Sequence, residues 1–550
     1  MNMLATLQDA FSQFIIKKFS ASDELIKQCQ LILNTDQQRQ AFGDLSTSAA
    51  LIIAKKCGQS PMQIANECIK EFSHQFVKDI AIARPGFLNI SLTDQAFSLL
   101  TQELFEQRAA YFKPGFPIPK TKVSLEFVSA NPTGPLHFGH GRGGIIGDVL
   151  GNIFTFFGYA TTKEFYINDA GTQIDKLGMS LVVRCQQILG IETAMPEDGY
   201  HGEYLKELAK QCISEHGNHV LEKSEEFFKQ YAQDHLLSHI KNTLQEYGIV
   251  FDIFFSEKNL HTSNAINHII DVLLQKKLIY EHEGALWLAS TKFGDDKDRV
   301  VKKATGEWTY VAADIAYLKN KADRGFNNII MVLGHDHHSY STRLQAVRAA
   351  LEIEAKLDII LYQLVKIKDN GKEVRMSKRK GTMIYLEDII EAAGKDVARF
   401  FYLHRKADAQ LDFDIELALK KTEENPVYYI QYAYVRITSI INNAIDLMPV
   451  IVNFNQQDAL HITNNEHQLI KKIASLKNVL ESIVEHYQIH TLTYYLVELA
   501  QHFHTYYGNV KIIDLADTQK TKARLLLLVI LKRTLGIGLD LLGISKPERM

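Results

Sequence analysis

Residues 122–158 read KVSLEFVSANPTGPLHFGHGRGGIIGDVLGNIFTFFG. KVSLEFVS (122–129) is rich in β-forming residues and alternates in part, which predicts a strand. A Gly/Pro loop follows, then a helical run, IIGDVLGNIFTFFG, then a second strand, KEFYIN (163–168). Strand, helix, strand is a βαβ unit, and so a parallel sheet. SANPTGPLHFGHGRGG (129–144) therefore lies between a strand and a helix N-terminus. Free N–H groups and a positive dipole end suit such a place to phosphate. Glycines 139, 141, 143 and 144 are expected to clear side chains from the ligand's path. His137 and His140 stand three apart and share a face if a helical turn forms there. Two imidazole donors can neutralise charge growing on a phosphoryl group. Eleven of the 31 glycines fall between Gly134 and Gly190.

Two other readings compete. The glycines could simply allow tight helix–sheet packing. Alternatively, GHGRGG is a G-x-G-x-x-G dinucleotide fingerprint, with Glu164 about 20 residues on as the ribose acid. Against that, nine residues with two prolines separate the strand end from Gly139, and Glu164 opens its strand instead of closing it. The fingerprint also leaves both histidines unexplained.

Upstream, KPGFPIPK (113–120) holds three prolines in six positions and reads as a linker. Before it come helical patterns and one short strand, PGFLNISL (85–92). Downstream, residues 185–300 are mixed and charged and carry no usable motif. NIIMVLG (328–334) and LDIILYQLVKIKD (357–369) resume a buried-sheet pattern. From about Lys395 the chain reads as helical to its end, with 10 of the 23 tyrosines.

The whole is 550 residues with 46% hydrophobic and 23% charged, which predicts several packed domains and excludes wholesale disorder. A net charge of -3 excludes a polycationic coat but not a local basic face. Five cysteines without a CxxC pair argue against a disulfide framework and fit a reducing cytoplasm. The first residues read as an amphipathic helix, not a signal peptide, and no apolar run reaches membrane length.

A second motif is KEVRMSKRKGTMIYLED (372–388), with five basic residues in nine positions. Alone it reads as a solvated loop. Paired with a phosphate-binding turn, it becomes a cationic clamp for a triphosphate.

HFGH (137–140) resembles the HIGH signature, and RMSK (375–378) the KMSK signature, of class I aminoacyl-tRNA synthetases. The flanks EFVSANPTGPLHFGHGR, YINDAGTQI, GHDHH, DVARFF, NPVYYIQYA and LGISKPERM resemble bacterial-type arginyl-tRNA synthetases. The resemblance implies an α/β fold. A Rossmann-like parallel-sheet catalytic domain (114–394, insertion at about 185–300) would sit between an N-terminal α+β domain (1–113) and a C-terminal all-α anticodon-binding bundle (395–550). It implies an arginine–tRNA ligase that uses L-arginine, ATP with Mg²⁺ and tRNA(Arg). It also implies no tightly bound protein metal, no membrane, and a cytoplasmic monomer.

Residue by residue, the resemblance makes His137, His140 and Lys378 catalytic. ATP would lie along Pro132, Thr133, Gly134, Pro135, Leu136, His137, Phe138, Gly139, His140 and Gly141, with Arg375, Met376, Ser377 and Lys378 on its phosphates. Arg375 replaces the usual Lys, a fork in place of a point charge. Arginine would meet Glu126, Ser129, Ala130, Asn131, His140, Tyr310, Asp314 and Asp336, with Asp314 on the guanidinium. A planar guanidinium independently asks for carboxylates. GHDHH alone would suggest a metal site; the family pattern makes Gly334, His335, Asp336 and His338 pocket wall instead. For tRNA the candidates are Tyr432 in the tyrosine-rich end, and Phe87 and Asn89 in the N-terminal domain.

Overall fold

The computed structural model describes residues 2–35, 42–115, 121–369, 371–373 and 384–550. The N-terminal part runs from helix α1 (Met3–Phe19) through strands β1 (Ile32–Leu33), β2 (Leu45–Thr47), β3 (Val77–Ala83) and β4 (Phe87–Leu92) to helix α2 (Asp94–Gln107). The strands form an antiparallel sheet in the order β1-β2-β4-β3, where the sequence suggests only one strand. β1 and β2 are too short for alternation to show.

β5 (Lys122–Phe127) leads through the histidine turn into α3 (His140–Phe157) and then β6 (Ala160–Ile167), so the βαβ expectation holds. Val123 through Phe127 are all buried, as in a strand covered on both faces, which is why its alternation is only partial. Helices α4 (Thr172–Ile188), α5 (Glu203–His216) and α6 (Glu225–Glu246) share a small core of their own around Leu177, Leu205 and Phe228. β7 (Ile253–Ser256) then pairs with β6. A strand of the main sheet thus lies inside the stretch read as insertion; with four residues, it has no period of its own. An antiparallel meander follows, β8 (Ile279–His282), β9 (Ala285–Leu288) and β10 (Arg299–Lys302). After α7 (Tyr310–Asp323), β11 (Asn328–Gly334) and β12 (Lys356–Tyr362) complete a parallel sheet of order β12-β11-β5-β6-β7.

β13 (Val365–Asp369), β14 (Lys372–Glu373) and β15 (Leu411–Asp414) form a small sheet. β15 interrupts the region read as all-helical. Its Leu411 and Phe413 alternate inward beside β13, a pattern of four residues easily lost in a helical context. Around it stand α8 (Lys395–Leu403), α9 (Pro426–Leu447), α10 (His490–Asn509) and α11 (Thr518–Leu542).

One buried guanidinium joins these parts. Arg399 on α8 donates to Asp148 on α3 at 2.5 Å, to the Tyr247 carbonyl just past α6 at 2.8 Å, and to the Leu542 carbonyl ending α11 at 2.6 Å. Lys163 on β6 holds the other Asp148 oxygen at 2.6 Å. Gly543, at φ +69°, has no room for a Cβ, which would stand 2.5 Å from Arg399 Nη2. The two ends of the chain also meet. Lys471 reaches Asp44 at 2.8 Å, and the Phe97 and His467 rings stack 3.6 Å apart.

Arg399→Met should lower stability by about 3 kcal/mol or more, because three acceptors lose their partner at a buried site. Urea unfolding of the whole chain measures it, and a midpoint equal to wild type would refute the hub.

Candidate active site

β5 and β11 are neighbours, and the strands to either side continue in opposite directions, so ligands are expected beyond their C-terminal ends. β5 ends in Glu126 and Phe127, and β11 in Gly334. Directly after β5, Val128 and Ser129 sit at φ +67° and +41°, a costly conformation for a β-branched residue. Ser129 Oγ holds it by donating to Glu126 Oε1 (3.2 Å) and accepting from the Tyr166 N–H (3.1 Å). Ala130 packs partly buried beside this turn. Asn131 is exposed and donates to Gln173 at 2.9 Å, tying the loop to the start of α4.

The Pro132–His140 turn is pinned at its backbone. Thr133 O accepts from Tyr204 (2.6 Å) and Phe138 O from Tyr402 (2.7 Å). Leu136 O accepts from the Leu386 N–H (2.8 Å), and the Phe138 N–H donates to Ile384 O (3.3 Å). Pro132 and Leu136 are buried, and Pro135 is half-buried. Arg375, Met376, Ser377 and Lys378 lie outside the described residues, yet the chain just after them is bonded to the histidine turn.

Both histidines have a fixed face. The His137 N–H donates to His140 Nδ1 (3.0 Å), and the Gly139 N–H donates to His137 Nδ1 (3.1 Å). Each Nδ1 is therefore an acceptor, and the neutral rings carry their proton on Nε2. Burial lowers the His140 pKa, which keeps that ring neutral. The turn offers two N–H donors at the N-terminus of α3.

The glycines behave differently from the expectation. A Cβ on Gly141 would stand 2.6 Å from Leu386 Cδ1, and one on Gly143 would stand 2.5 Å from the Tyr362 ring. One on Gly144 would meet Ile249 at 3.1 Å. These three face packed side chains, so they serve close packing and not ligand approach. The sequence shows that side chains are absent but not what fills the space. Only Gly139, half-exposed beside His137, lies on the open side of the turn.

An acidic cluster gathers beyond the ends of β5 and β7. Asp314 on α7 accepts from the Tyr340 hydroxyl at 2.8 Å. Burial pushes its carboxyl up to about 7; Tyr340 and Arg343 oppose the rise, and the negative charges of Glu257 and Glu126 add to it. Glu257 is also held above the usual carboxylate range by burial, against the Tyr166 hydroxyl and His261. Glu126 Oε2 is buried without a hydrogen bond, with Lys321 Nζ at 3.2 Å. Tyr310 is 60% exposed and opens a cavity of about 860 Å³ that Asp169, Glu257, Lys258 and Trp308 also line. Asp336 is mostly in solvent, 3.8 Å from His337. Among the described residues no group of three or more His, Cys, Asp or Glu is placed to hold a metal.

Glu164 is fully buried at mid-β6, bonded to Lys321 (2.7 Å), Arg324 and Tyr317. Burial alone would raise its pKa, but the two cations pull it to about 2. It is a structural anion, unavailable to a ribose, and the dinucleotide reading fails.

Three family models cover most of the chain. "Arginyl tRNA synthetase N terminal domain" matches residues 5–92, "tRNA synthetases class I (R), catalytic domain" 117–412, and "DALR anticodon binding domain" 430–550. An arginine–tRNA ligase of Geobacter sp. (strain M21) is 40% identical over 526 residues, 94% of this chain and 95% of that one. The arginine–tRNA ligase of Bacillus subtilis (strain 168) is 37% identical over 100% of this chain and 99% of its own. The chain belongs to the arginyl-tRNA synthetase family. The Thermus thermophilus arginyl-tRNA synthetase structure superposes over 100% of both chains with a TM-score of 0.77, at 20% identity a likeness of fold.

Within this class I synthetase the remaining candidates separate. Phe87 is 40% exposed where β4 begins, whereas Asn89, two residues on, is 7% exposed. Tyr432 on α9 is half-buried and stacks on His504, ring centroids 5.7 Å apart. Other tyrosines of this region are structural: the hydroxyls of Tyr402, Tyr487, Tyr494, Tyr495 and Tyr506 all bond within the protein. Residues missed in the sequence are Tyr204, Glu257, Lys321 and Tyr340. Tyr204 and Glu257 lie in the 185–300 stretch without a motif, and Tyr340 follows GHDHH by two positions.

Gly143→Ala should destabilise the fold by about 1–3 kcal/mol through overpacking. Tyr362→Leu added to it should recover part of the loss. Thermal unfolding of the pair checks this, and a full-stability Gly143→Ala would restore the ligand-approach reading.

Proposed function

We propose that the acidic pocket holds the arginine guanidinium and that the histidine turn holds ATP, in a ligase that charges tRNA(Arg). The observation that carries the reading is Asp314, a half-buried carboxyl that feels the charge of Glu126 at the end of β5, the strand that leads into the turn of His137 and His140. Arginine brings a positive charge that Asp314, whose hydrogen bond comes from the Tyr340 hydroxyl, can pair with. The arginine carboxylate attacks the α-phosphorus of ATP; the P–O bond to pyrophosphate breaks, leaving arginyl-adenylate. His137 and His140 donate through Nε2 to the phosphoryl oxygens as charge grows there, an arrangement whose removal costs on the order of 10²–10³ in rate per donor. Mg²⁺ enters as part of the ATP substrate, and Lys378 meets the leaving pyrophosphate. A hydroxyl at the 3′ end of tRNA then displaces AMP. Ser129, Ala130 and Asn131 border the α-amino end of arginine together with Glu126, and Tyr310 closes the pocket mouth. Asp336 belongs to its outer wall.

A lysine ammonium is a point charge and leaves the carboxylates badly paired, so discrimination of about 10⁴-fold needs no hydrolytic site. Phe87 and Tyr432 are the proposed tRNA contacts, through aromatic stacking; Asn89, buried within the N-terminal sheet, is withdrawn as one. We place the enzyme in the cytoplasm as a monomer. No described helix is long and apolar enough to cross a membrane.

ATP–pyrophosphate exchange should depend on arginine, and on tRNA as well. Rapid exchange without tRNA would contradict the coupling, and no exchange with arginine under any condition would overturn the reading.

The Asp314 carboxyl, at about 7, sets a pH dependence. Only its ionised form pairs with a guanidinium, so a proton must leave on binding below that pH. The KM for arginine should be flat above pH 8 and rise by up to about tenfold per unit well below 7. Asp314→Asn should abolish the dependence along with most arginine affinity. Initial rates from pH 6 to 8.5 measure both.

A further inference from the structure

Tyr204 of the 185–300 stretch reaches the ATP turn. Tyr204 is the second residue of α5, and its hydroxyl donates to Thr133 O at 2.6 Å. Its own helix is not loose. Leu205, the next residue, is fully buried, and α5 packs on α4 through Leu205, Ala209, Leu177 and Leu181. The preceding loop is braced as well: the Tyr200 N–H donates to Ser180 Oγ (3.0 Å), and Arg184 to His201 O (2.9 Å).

The turn is shaped to receive the ring. A Cβ on Gly134 would meet Tyr204 Cζ at 3.2 Å and its hydroxyl at 3.3 Å. A Cβ on Gly202 would stand 2.3 Å from Tyr204 Cε1. Two glycines thus make room for one tyrosine, one on the ATP turn and one on α5's own lead-in. Burial raises the phenol pKa, which keeps the hydroxyl a donor throughout the physiological range.

The other supports of the turn lie further along it. Leu386 N–H and Tyr402 bond Leu136 O and Phe138 O, nearer the histidines. Thr133 is the start of the turn, where its own N–H bonds only two residues back, to Asn131 O at 2.8 Å. Without the Tyr204 hydroxyl, the Thr133 carbonyl and the Pro132–Pro135 segment lose their outer anchor.

We propose that Tyr204 is a positioning residue for adenylate formation, by which the α4–α5–α6 unit fixes the ATP turn. This rests on the ligase reading above. Tyr204 acts on the turn that carries the nucleotide, not on the arginine pocket, so its effect separates between the two substrates. A displacement near 1 Å of a reacting group can cost about 10²-fold in rate.

The test is Tyr204→Phe, which keeps the ring and removes one oxygen. The control is Tyr495→Phe, which removes a comparable buried hydroxyl bond to Lys472 O in the helical domain. Both are assayed by ATP–pyrophosphate exchange with tRNA present, alongside thermal unfolding. Tyr204→Phe should lower kcat by about tenfold or more and raise the KM for ATP, with the KM for arginine unchanged. Tyr495→Phe should keep wild-type kcat. Wild-type kinetics in Tyr204→Phe would overturn the proposal. So would an equal loss in both variants that follows their unfolding midpoints, or an equal rise in the KM for arginine. An inactive wild-type enzyme would instead overturn the ligase reading itself.

Discussion

The Arg399 guanidinium is the constraint on which the rest depends. It takes a carboxylate from the helix that starts at the ATP turn, a carbonyl from the end of α6, and a carbonyl from the end of α11. A buried cation is tolerated only when paired and hydrogen-bonded. Its position therefore fixes three distant segments relative to one another. α3 could not slide along β5 without pulling Asp148 away, and its starting point is the turn that carries the two histidines. The placement of the histidines is in this sense decided by a residue some 250 positions further on.

The acidic pocket depends on a second constraint of the same kind. Lys321 and Arg324 are spent on Glu164 and, in part, Glu126. Their charge neutralises the floor of the sheet; among the described residues Asp314 is bonded by the Tyr340 hydroxyl and Glu257 has His261 beside it. The fold carries the cost of holding those carboxyls in a half-buried site, and a guanidinium relieves it. Under the proposed reading, selectivity for a delocalised cation and the raised carboxyl pKa have one origin.

Much of this was legible in the chain. The βαβ unit and the two signature motifs follow from local residue order, and local order is what periodicity and motif spacing report; the carboxylate on α7 stands out only through the family resemblance. What stayed hidden depends on contacts between distant segments. GHGRGG looks the same whether its glycines face a phosphate or face Tyr362 and Leu386, and only the folded chain tells which. β7 and β15 have four residues each and take their identity from a neighbour strand. Tyr204 sits in an amphipathic helix like any other, and its role appears only when Thr133 arrives beside it.

The contacts between the chain ends have a mechanical meaning. Asp44 with Lys471, and Phe97 with His467, clamp the N-terminal sheet to the C-terminal helices through buried or stacked groups. Clamped together, the two outer parts move as one body, so any ligand that spans both meets them at a fixed relative position.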